Sequence, residues 1–350
     1  MVRPFDSAQD KLRREEKRVK RKIFALTLCA MLFALYPSVH AQQPAKVPRI
    51  GYLQGGSIAT STHRIEAFRQ GLRDLGYIEG KNIAIEWRTQ EGTYQHIRDR
   101  LPALAAELVR LQVSVIVATG SGDVRAAREA TATIPIVMIV DSDPVGRGFI
   151  ASLSRPGGSI TGLTNFAPEL SGKRLELLKE IAPKFSRVAV FGTSTSEGNA
   201  QEVTAVDAVA KVFGVKLQFL DVQGPKDFET AFRTAGKGHA DAALMMVSGA
   251  VAVPQRTEIA ALAVKSRIPV IYQRREYVEA GGLLSYGVNI ADMDRRAATY
   301  VDKILKGAKP ADLPVEQPKK FELIINLNAA KQIGLTIPPT VLARADRVIK

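Results

Sequence analysis

From Arg49 onward, short apolar runs alternate with stretches whose apolar residues recur every three or four positions. Arg49-Ile50-Gly51-Tyr52-Leu53 predicts a strand, and Thr62–Leu75 places Ile65, Phe68, Leu72 and Leu75 on one helical face, closed by Gly76. Asn82–Trp87 alternates as a strand does, and Tyr94–Arg110 carries Leu101, Leu104 and Leu108 on one stripe. Val113–Ala118 is continuously apolar, the pattern of a strand covered on both faces of a parallel sheet. A helix from Asp123 to Thr131 and a buried strand, Ile136–Val140, complete this first set.

The second half repeats the order. Arg187-Val188-Ala189-Val190-Phe191 matches the Arg49 strand 138 positions later, and Ile268-Pro269-Val270-Ile271 matches Ile134-Pro135-Ile136-Val137 at a spacing of 134. Between them lie a helix over Ala200–Phe213, a strand over Val215–Leu220, a helix over Lys226–Ala235, a strand over Ala242–Val247 and a helix over Gln255–Lys265. Strands alternating with helices over this length predict an α/β fold of two doubly wound parallel-sheet lobes with right-handed crossovers. The lobes are expected over 46–165 and 166–286. Past Gly287 follow a helix (Asp292–Lys306), extended segments (Pro310–Val315, Phe321–Leu327) and a tail with a short helix at Pro338-Pro339. These surplus residues, about 287–350, are expected to return to the first lobe, so that the chain crosses between lobes more than once and forms a multi-segment hinge.

The first 41 residues read differently. Lys20-Arg21-Lys22 precedes an apolar run, Ile23–Tyr36, and then Pro37 and Ser38-Val39-His40-Ala41. Basic flank, short apolar stretch and small-residue end are the parts of a secretory signal peptide, here with an N-terminal extension and cleavage expected near Ala41. The run is short of the roughly 20 residues of a spanning helix. Cys29 follows Leu28 where a lipoprotein signal wants a small residue, so lipid anchoring is not expected. An extracytoplasmic, periplasmic location follows. The leader carries nine of the 49 basic and four of the 35 acidic residues, which takes the formal charge from +14 to +9. The remaining basic residues are scattered, without the clustering and aromatic interleaving of a nucleic-acid surface. The single cysteine and four histidines exclude a disulfide scaffold and a structural zinc site.

In open parallel sheets, ligands bind beyond the carboxyl ends of the strands. Those ends carry Gln54-Gly55-Gly56-Ser57, Thr119-Gly120-Ser121-Gly122-Asp123 and Asp141-Ser142-Asp143-Pro144 in the first half. In the second they carry Thr193-Ser194-Thr195-Ser196-Glu197, Ser248-Gly249 and Tyr272-Gln273-Arg274. Candidate ligand contacts are therefore Gln54, Thr119, Gly120, Ser121, Asp143, Ser194, Glu197, Ser248 and Tyr272. Thr119-Gly120-Ser121 opening a helix suits a carboxylate, although Ser121 equally well caps its own helix. Asp141 and Asp143 suit an ammonium, although Asp143-Pro144 also reads as a turn start. Tyr52, Phe166, Tyr272 and Tyr286 near strand ends offer stacking faces or core packing. His63, His96 and His239 sit in no catalytic constellation, and no nucleophile elbow, P-loop or HExxH motif occurs, so neither enzymatic activity nor a cofactor is expected.

Several separated motifs resemble one family: Asp143-Pro144-Val145-Gly146, Ser154-Arg155-Pro156-Gly157-Gly158-Ser159-Ile160-Thr161-Gly162, Glu279-Ala280-Gly281-Gly282-Leu283-Leu284-Ser285-Tyr286-Gly287, and the run from Lys303 to Glu316. From about Pro48 to Lys350 the chain resembles the ABC-transporter substrate-binding proteins of the tryptophan- and tyrosine-binding type. The resemblance implies a type I periplasmic-binding-protein fold, a small-molecule ligand such as an aromatic amino acid in the interlobe cleft, and delivery to a membrane permease. It also implies a monomer that acts without nucleic acid. Under that reading Thr119 and Ser121 hold the carboxylate, Asp143 or Glu197 the ammonium, and Ser194, Ser248 and Tyr272 close from the second lobe. The alternative is a ligand-sensing domain that feeds a signalling protein.

Overall fold

The computed structural model describes residues 13–21, 47–165, 167–196 and 198–350. Residues 13–21 form a helix with exposed side chains. The apolar leader run, Cys29 and the expected cleavage point at Ala41 lie outside the described residues, as do Phe166 and Glu197. Among the described residues no helix is long and apolar enough to cross a membrane.

From Val47 on, the elements run β1 (Arg49–Gly55), α1 (Thr62–Asp74), β2 (Ala84–Gln90), α2 (Tyr94–Arg110), β3 (Val115–Ala118), α3 (Ser121–Ala130), β4 (Ile136–Asp141) and β5 (Ile160–Thr164). Next come α4 (Ala167–Ile181), β6 (Arg187–Gly192), α5 (Asn199–Val212), β7 (Lys216–Asp221), α6 (Asp227–Lys237), β8 (Ala242–Met245), α7 (Gly249–Ala252), α8 (Arg256–Ser266), β9 (Val270–Tyr272) and α9 (Arg275–Glu279). The chain ends with β10 (Leu284–Val288), α10 (Ile290–Leu305), β11 (Phe321–Asn326), α11 (Leu327–Gln332), α12 (Pro339–Leu342) and β12 (Arg347–Ile349). One sheet has the order β2-β1-β3-β4-β5 and is parallel throughout. The other has the order β12-β11-β10-β9-β8-β6-β7, parallel except where β10 meets β11.

The strands are apolar on both faces because both faces are covered. In β3, Val115 and Val117 face the core with α1 and α10, while Ile116 and Ala118 face the core with α2 and α3. In the second sheet, Val188 and Val190 of β6 pack with α4 and α5, while Ala189 and Phe191 turn toward α6 and α8. At about 25 cal/mol per Å² of apolar surface, burial on two faces is the main source of each sheet's stability.

The segment after Gly287 divides between the two sheets. Ile290, Met293, Ala297, Val301 and Ile304 form one face of α10, which seals the first sheet beside Phe68 and Leu72 of α1. The expected return of the tail to the first lobe fails for β11 and β12. β11 pairs antiparallel with β10, Leu284 opposite Ile325, and buries Leu323 and Ile325 in the second lobe. The chain thus crosses between sheets three times: after β5, at Asn289, and after Glu316. Glu316 is still bonded to the first sheet, where its backbone N–H donates to the Gly162 carbonyl at 2.9 Å and its carbonyl accepts from the Thr164 N–H at 3.0 Å.

Candidate functional site

In each sheet the strand order reverses once, between β1 and β3 in the first and between β6 and β8 in the second. Loops leaving strands at such points diverge and open a crevice. The two crevices face one another, and together they bound a cleft of about 1200 Å³, its open mouth included. Its first-lobe wall comes from the segments after β1 and β3 and from α1 and α2, its second-lobe wall from those after β6, β8 and β9.

Contacts across the cleft hold the lobes together. The Tyr94 N–H donates to the Gln223 carbonyl at 2.9 Å. Gln201 Nε2 donates to Asp143 Oδ2 at 2.9 Å, and His63 Nε2 lies 3.1 Å from Glu276 Oε1. At the cleft rim the backbone of Gly56 lies against that of Ala250.

Among the described residues Arg64, Arg98 and Arg274 line the cleft, and Arg64 and Arg274 come from opposite lobes. Arg64, on α1, is only 6% exposed, and its Nε and Nη2 donate to the Asp294 oxygens at 2.7 and 3.1 Å. Burial alone would depress its pKa, but the charge of Asp294 more than reverses this and raises it. Tyr52 Oη donates to the same carboxylate at 3.0 Å, and burial together with that negative charge pushes the phenol well above its ordinary pKa. Arg274, just past β9, differs. It is partly buried, no carboxylate among the described residues lies in ion-pairing distance, and its guanidinium lies against Gly249, where a Cβ would stand 2.8 Å from Nη2. Burial, reinforced by the charge of Arg64, lowers its pKa.

Acidic groups face the same space. Asp123, in the first turn of α3, is 6% exposed. Its Oδ1 accepts the Gly55 N–H at 3.1 Å and its Oδ2 the Thr119 hydroxyl at 3.2 Å; burial pushes its pKa up to about 7. Burial would raise Glu276 as well, but the hydrogen bond from His63 and the charge of Arg274 hold it down at about 2. Glu202 accepts from Ser171 and Gln273, and burial raises its pKa against the charge of Arg174. Among the described residues three buried side-chain oxygens on the cleft wall have no partner: Gln54 Oε1, Asn165 Oδ1 and Asn199 Oδ1. Tyr94, Ile97, Leu101 and Val253 add an apolar stretch. Among the described residues no group of His, Cys, Asp and Glu is arranged to hold a metal ion.

Val140 also lines the cleft, at φ 66°, a left-handed conformation strained for a β-branched residue. The β4–β5 register shifts at this point, and the next residue, Asp141, is fully buried and accepts from Arg147 Nη1 at 3.0 and 3.1 Å.

Of the residues expected from sequence, Gln54, Thr119, Gly120, Ser121 and Ser248 line the cleft. Two of them are already engaged: the Thr119 hydroxyl donates to Asp123, and the Ser121 hydroxyl accepts from Arg147 Nη1 at 2.7 Å. Asp143 sits at the rim, where one oxygen closes its own turn by accepting the Gly146 N–H and the other accepts from Gln201. Ser194 is exposed and donates to Asp221. Tyr272 is wholly buried with its ring stacked on Tyr277, so it supports the lobe core rather than the cleft wall. Tyr52 is likewise core, and Tyr286 packs against Phe321. The sequence reading passed over Asp123, Arg64, Arg274, Asn165 and Asn199. Asp123 and Arg274 stood within the strand-end loops and were available to it. Arg64 carries no local signal, because its partner, Asp294, lies 230 positions away.

A family model described as ABC transporter substrate binding protein matches residues 59–349. A tyrosine-binding protein of Clostridioides difficile (strain R20291) is 26% identical over 274 residues, 77% of this chain and 76% of the relative. An ABC domain from Streptococcus pneumoniae in complex with L-Trp shares the fold, with a TM-score of 0.78 and 23% identity over 86% of this chain and 99% of that one. The ligand-free, open structure of a substrate-binding protein with adhesive properties from Clostridium difficile aligns with a TM-score of 0.62 and 25% identity over 87% of this chain and 99% of that one.

Proposed function

Because the chain belongs to the ABC transporter substrate-binding protein family, whose members bind small molecules outside the cytoplasm and work with an ABC transporter, we propose that it captures an amino acid and delivers it to a membrane permease. The observation that carries this reading is unused bonding capacity of both signs on opposite walls of one cleft. Among the described residues Arg274, on the second-lobe wall, has no carboxylate within ion-pairing distance, while Gln54 on the first-lobe wall, together with Asn165 and with Asn199 of the second lobe, presents an unpartnered acceptor oxygen. A zwitterion offers both complements, and buried polar groups left unpaired cost roughly 1–3 kcal/mol each until one arrives. Tyr94, Ile97, Leu101 and Val253 suit an aromatic or large apolar side chain.

On this reading the ligand's carboxylate meets Arg274 beside Ser248. The carboxylate assignment to Thr119 and Ser121 is given up, because a buried carboxylate, Asp123, already accepts the Thr119 hydroxyl. Capture works by differential affinity: a solute that touches both walls binds the closed arrangement more tightly than the open one. The chain arrives outside the cytoplasm by a leader ending near Ala41 and acts as a monomer.

Titration calorimetry against the proteinogenic amino acids tests the proposal. Saturable binding of tyrosine, tryptophan or another large apolar amino acid supports it, with affinity reduced in Arg274→Gln. Binding of a neutral sugar and of no amino acid overturns it.

A further inference from the structure

Asp123 is an unusual group to bury in an otherwise neutralised wall. Among the described residues no cation lies within ion-pairing distance of it; its Oδ1 accepts the Gly55 N–H and its Oδ2 the Thr119 hydroxyl, and the Thr119 backbone adds a weaker stabilising contact. A carboxylate has about four acceptor sites, so capacity remains on both oxygens. Beside it Gln54 is 1% exposed; its Nε2 donates to the Ser61 hydroxyl at 2.6 Å, and its Oε1 has no partner. The two are tied together, since the residue following Gln54 supplies the N–H that Asp123 accepts.

We infer that this corner of the first lobe, Asp123 with Gln54 Oε1, is the receptor for a cationic amine and makes the cleft discriminate amine-bearing solutes from their deaminated counterparts. The inference rests on the amino-acid reading above and deepens it. An ammonium donates three hydrogen bonds and accepts none, which matches the remaining acceptor capacity of one carboxylate and an amide oxygen with no partner. A carboxylic acid placed here would meet like charge.

The site also ties binding to protons. Burial raises Asp123 to about 7 while Arg64, facing it from α1, acts to lower it. Among the described residues the other charged groups lining or rimming the cleft are Arg98, Arg274, Glu202, the His63–Glu276 pair, Asp294 behind Arg64, Asp143, and Arg147 with Asp141. An arriving ammonium requires the carboxylate, so binding near neutral pH releases a proton. With the group titrating at about 7, affinity rises about tenfold between pH 6 and pH 8.

The test is calorimetry on the full chain with L-tyrosine, L-tryptophan, their desamino acids and their decarboxylated amines, for wild type and Asp123→Asn. The expected result is that the amino acids bind the wild type at least about tenfold tighter than the desamino acids, consistent with a charge-assisted hydrogen bond. In the variant the ratio shrinks to within about threefold, and the pH dependence flattens with it. A role confined to tying the two loops together lowers the variant's melting temperature and leaves the ratio and the pH profile alone; that outcome overturns the inference and leaves the amino-acid reading standing. Equal affinity of wild type for amino and desamino acids overturns it too. If no amine-bearing compound binds, the reading and the inference fall together. Should Asp123→Asn fail to fold, proton release by the wild type, measured in two buffers of different ionisation enthalpy, decides the matter, and zero release overturns the inference.

Discussion

His63 on α1 and Glu276 on α9 meet across the cleft, Nε2 to Oε1 at 3.1 Å. Each belongs to a different lobe, so the pair exists only while the lobes are together. Its energetic weight is modest because the imidazole is 43% exposed, and pairs of this kind contribute up to about 1 kcal/mol. His63→Ala is expected to speed ligand dissociation by no more than about fivefold, with little effect on melting temperature; stopped-flow fluorescence measures it. The carboxyl of Glu276 is held down at about 2. Its contribution is therefore complete above the ordinary carboxylate range near 4.5 and is lost as pH falls toward 2. Above pH 5 the pair does not respond to titration of Glu276.

Gly249 supplies the flat surface on which the Arg274 guanidinium rests. A side chain there displaces the far end of a flexible arginine rather than backbone, so Gly249→Val costs little stability. It moves Arg274, the cation on the described second-lobe wall, away from the ligand. Affinity for the captured solute is expected to fall about 10- to 100-fold, the range of a lost hydrogen bond to a charged group, with the melting temperature of the free protein changed by only a few degrees. Calorimetry paired with thermal denaturation separates the two effects. Unchanged affinity would sink the role given to Arg274.

Gly162 in β5 has φ +132°, and a Cβ there would stand 2.1 Å from the Met138 carbonyl oxygen. That oxygen belongs to a neighbouring strand and cannot yield. Gly162→Ala is expected to destabilise the chain by at least about 3 kcal/mol, from backbone strain and overpacking together. Denaturant unfolding provides the measurement, and a change under 1 kcal/mol contradicts the described β4–β5 packing.

The alternation of β and α, the two-sheet architecture and most strand positions were legible because periodicity is local. Val115–Ala118 and Ala242–Met245 announce themselves as doubly covered strands within a few residues. Four cleft glycines and hydroxyls, Thr119, Gly120, Ser121 and Ser248, followed from the strand-end rule. The groups that give the cleft its charge did not follow. Arg64 depends on Asp294, and Glu276 on His63, pairings set by tertiary packing over hundreds of positions. Tyr272 misled for the same reason: its place at a strand end was right, but side chains alternate along a strand, and its alternation points it to the core. β11 and β12 were placed with the wrong sheet because an apolar strand carries no record of which neighbour it pairs with.

Thr93 and Gly224 come together where α2 meets the second lobe, and a Cβ on Gly224 would stand 3.5 Å from that of Thr93. This separation falls within the span of a disulfide. Thr93→Cys with Gly224→Cys is expected to oxidise readily and to lock the lobes shut. Ligand exchange in the oxidised form is then slowed by more than about tenfold and restored by reductant; the loss of the Thr93 cap on α2 costs about 1 kcal/mol in either redox state. Exchange at the wild-type rate in the oxidised protein would show that solute enters without the lobes parting.

The interleaved path of the chain also sets an order of events during synthesis. The outer face of the first sheet, with Tyr52, Val117, Val137 and Ile139, is covered by α1 and by α10, and α10 is encoded only after α4 to β10 of the second lobe. While the ribosome is still producing α4 to β10, the earlier strands lack one of the two helices that shield them from water. The first half therefore matures late, after the second is nearly translated, and a nascent chain kept unfinished in this way stays pliable for most of its production. No single cut in the gene releases that half as an independent piece.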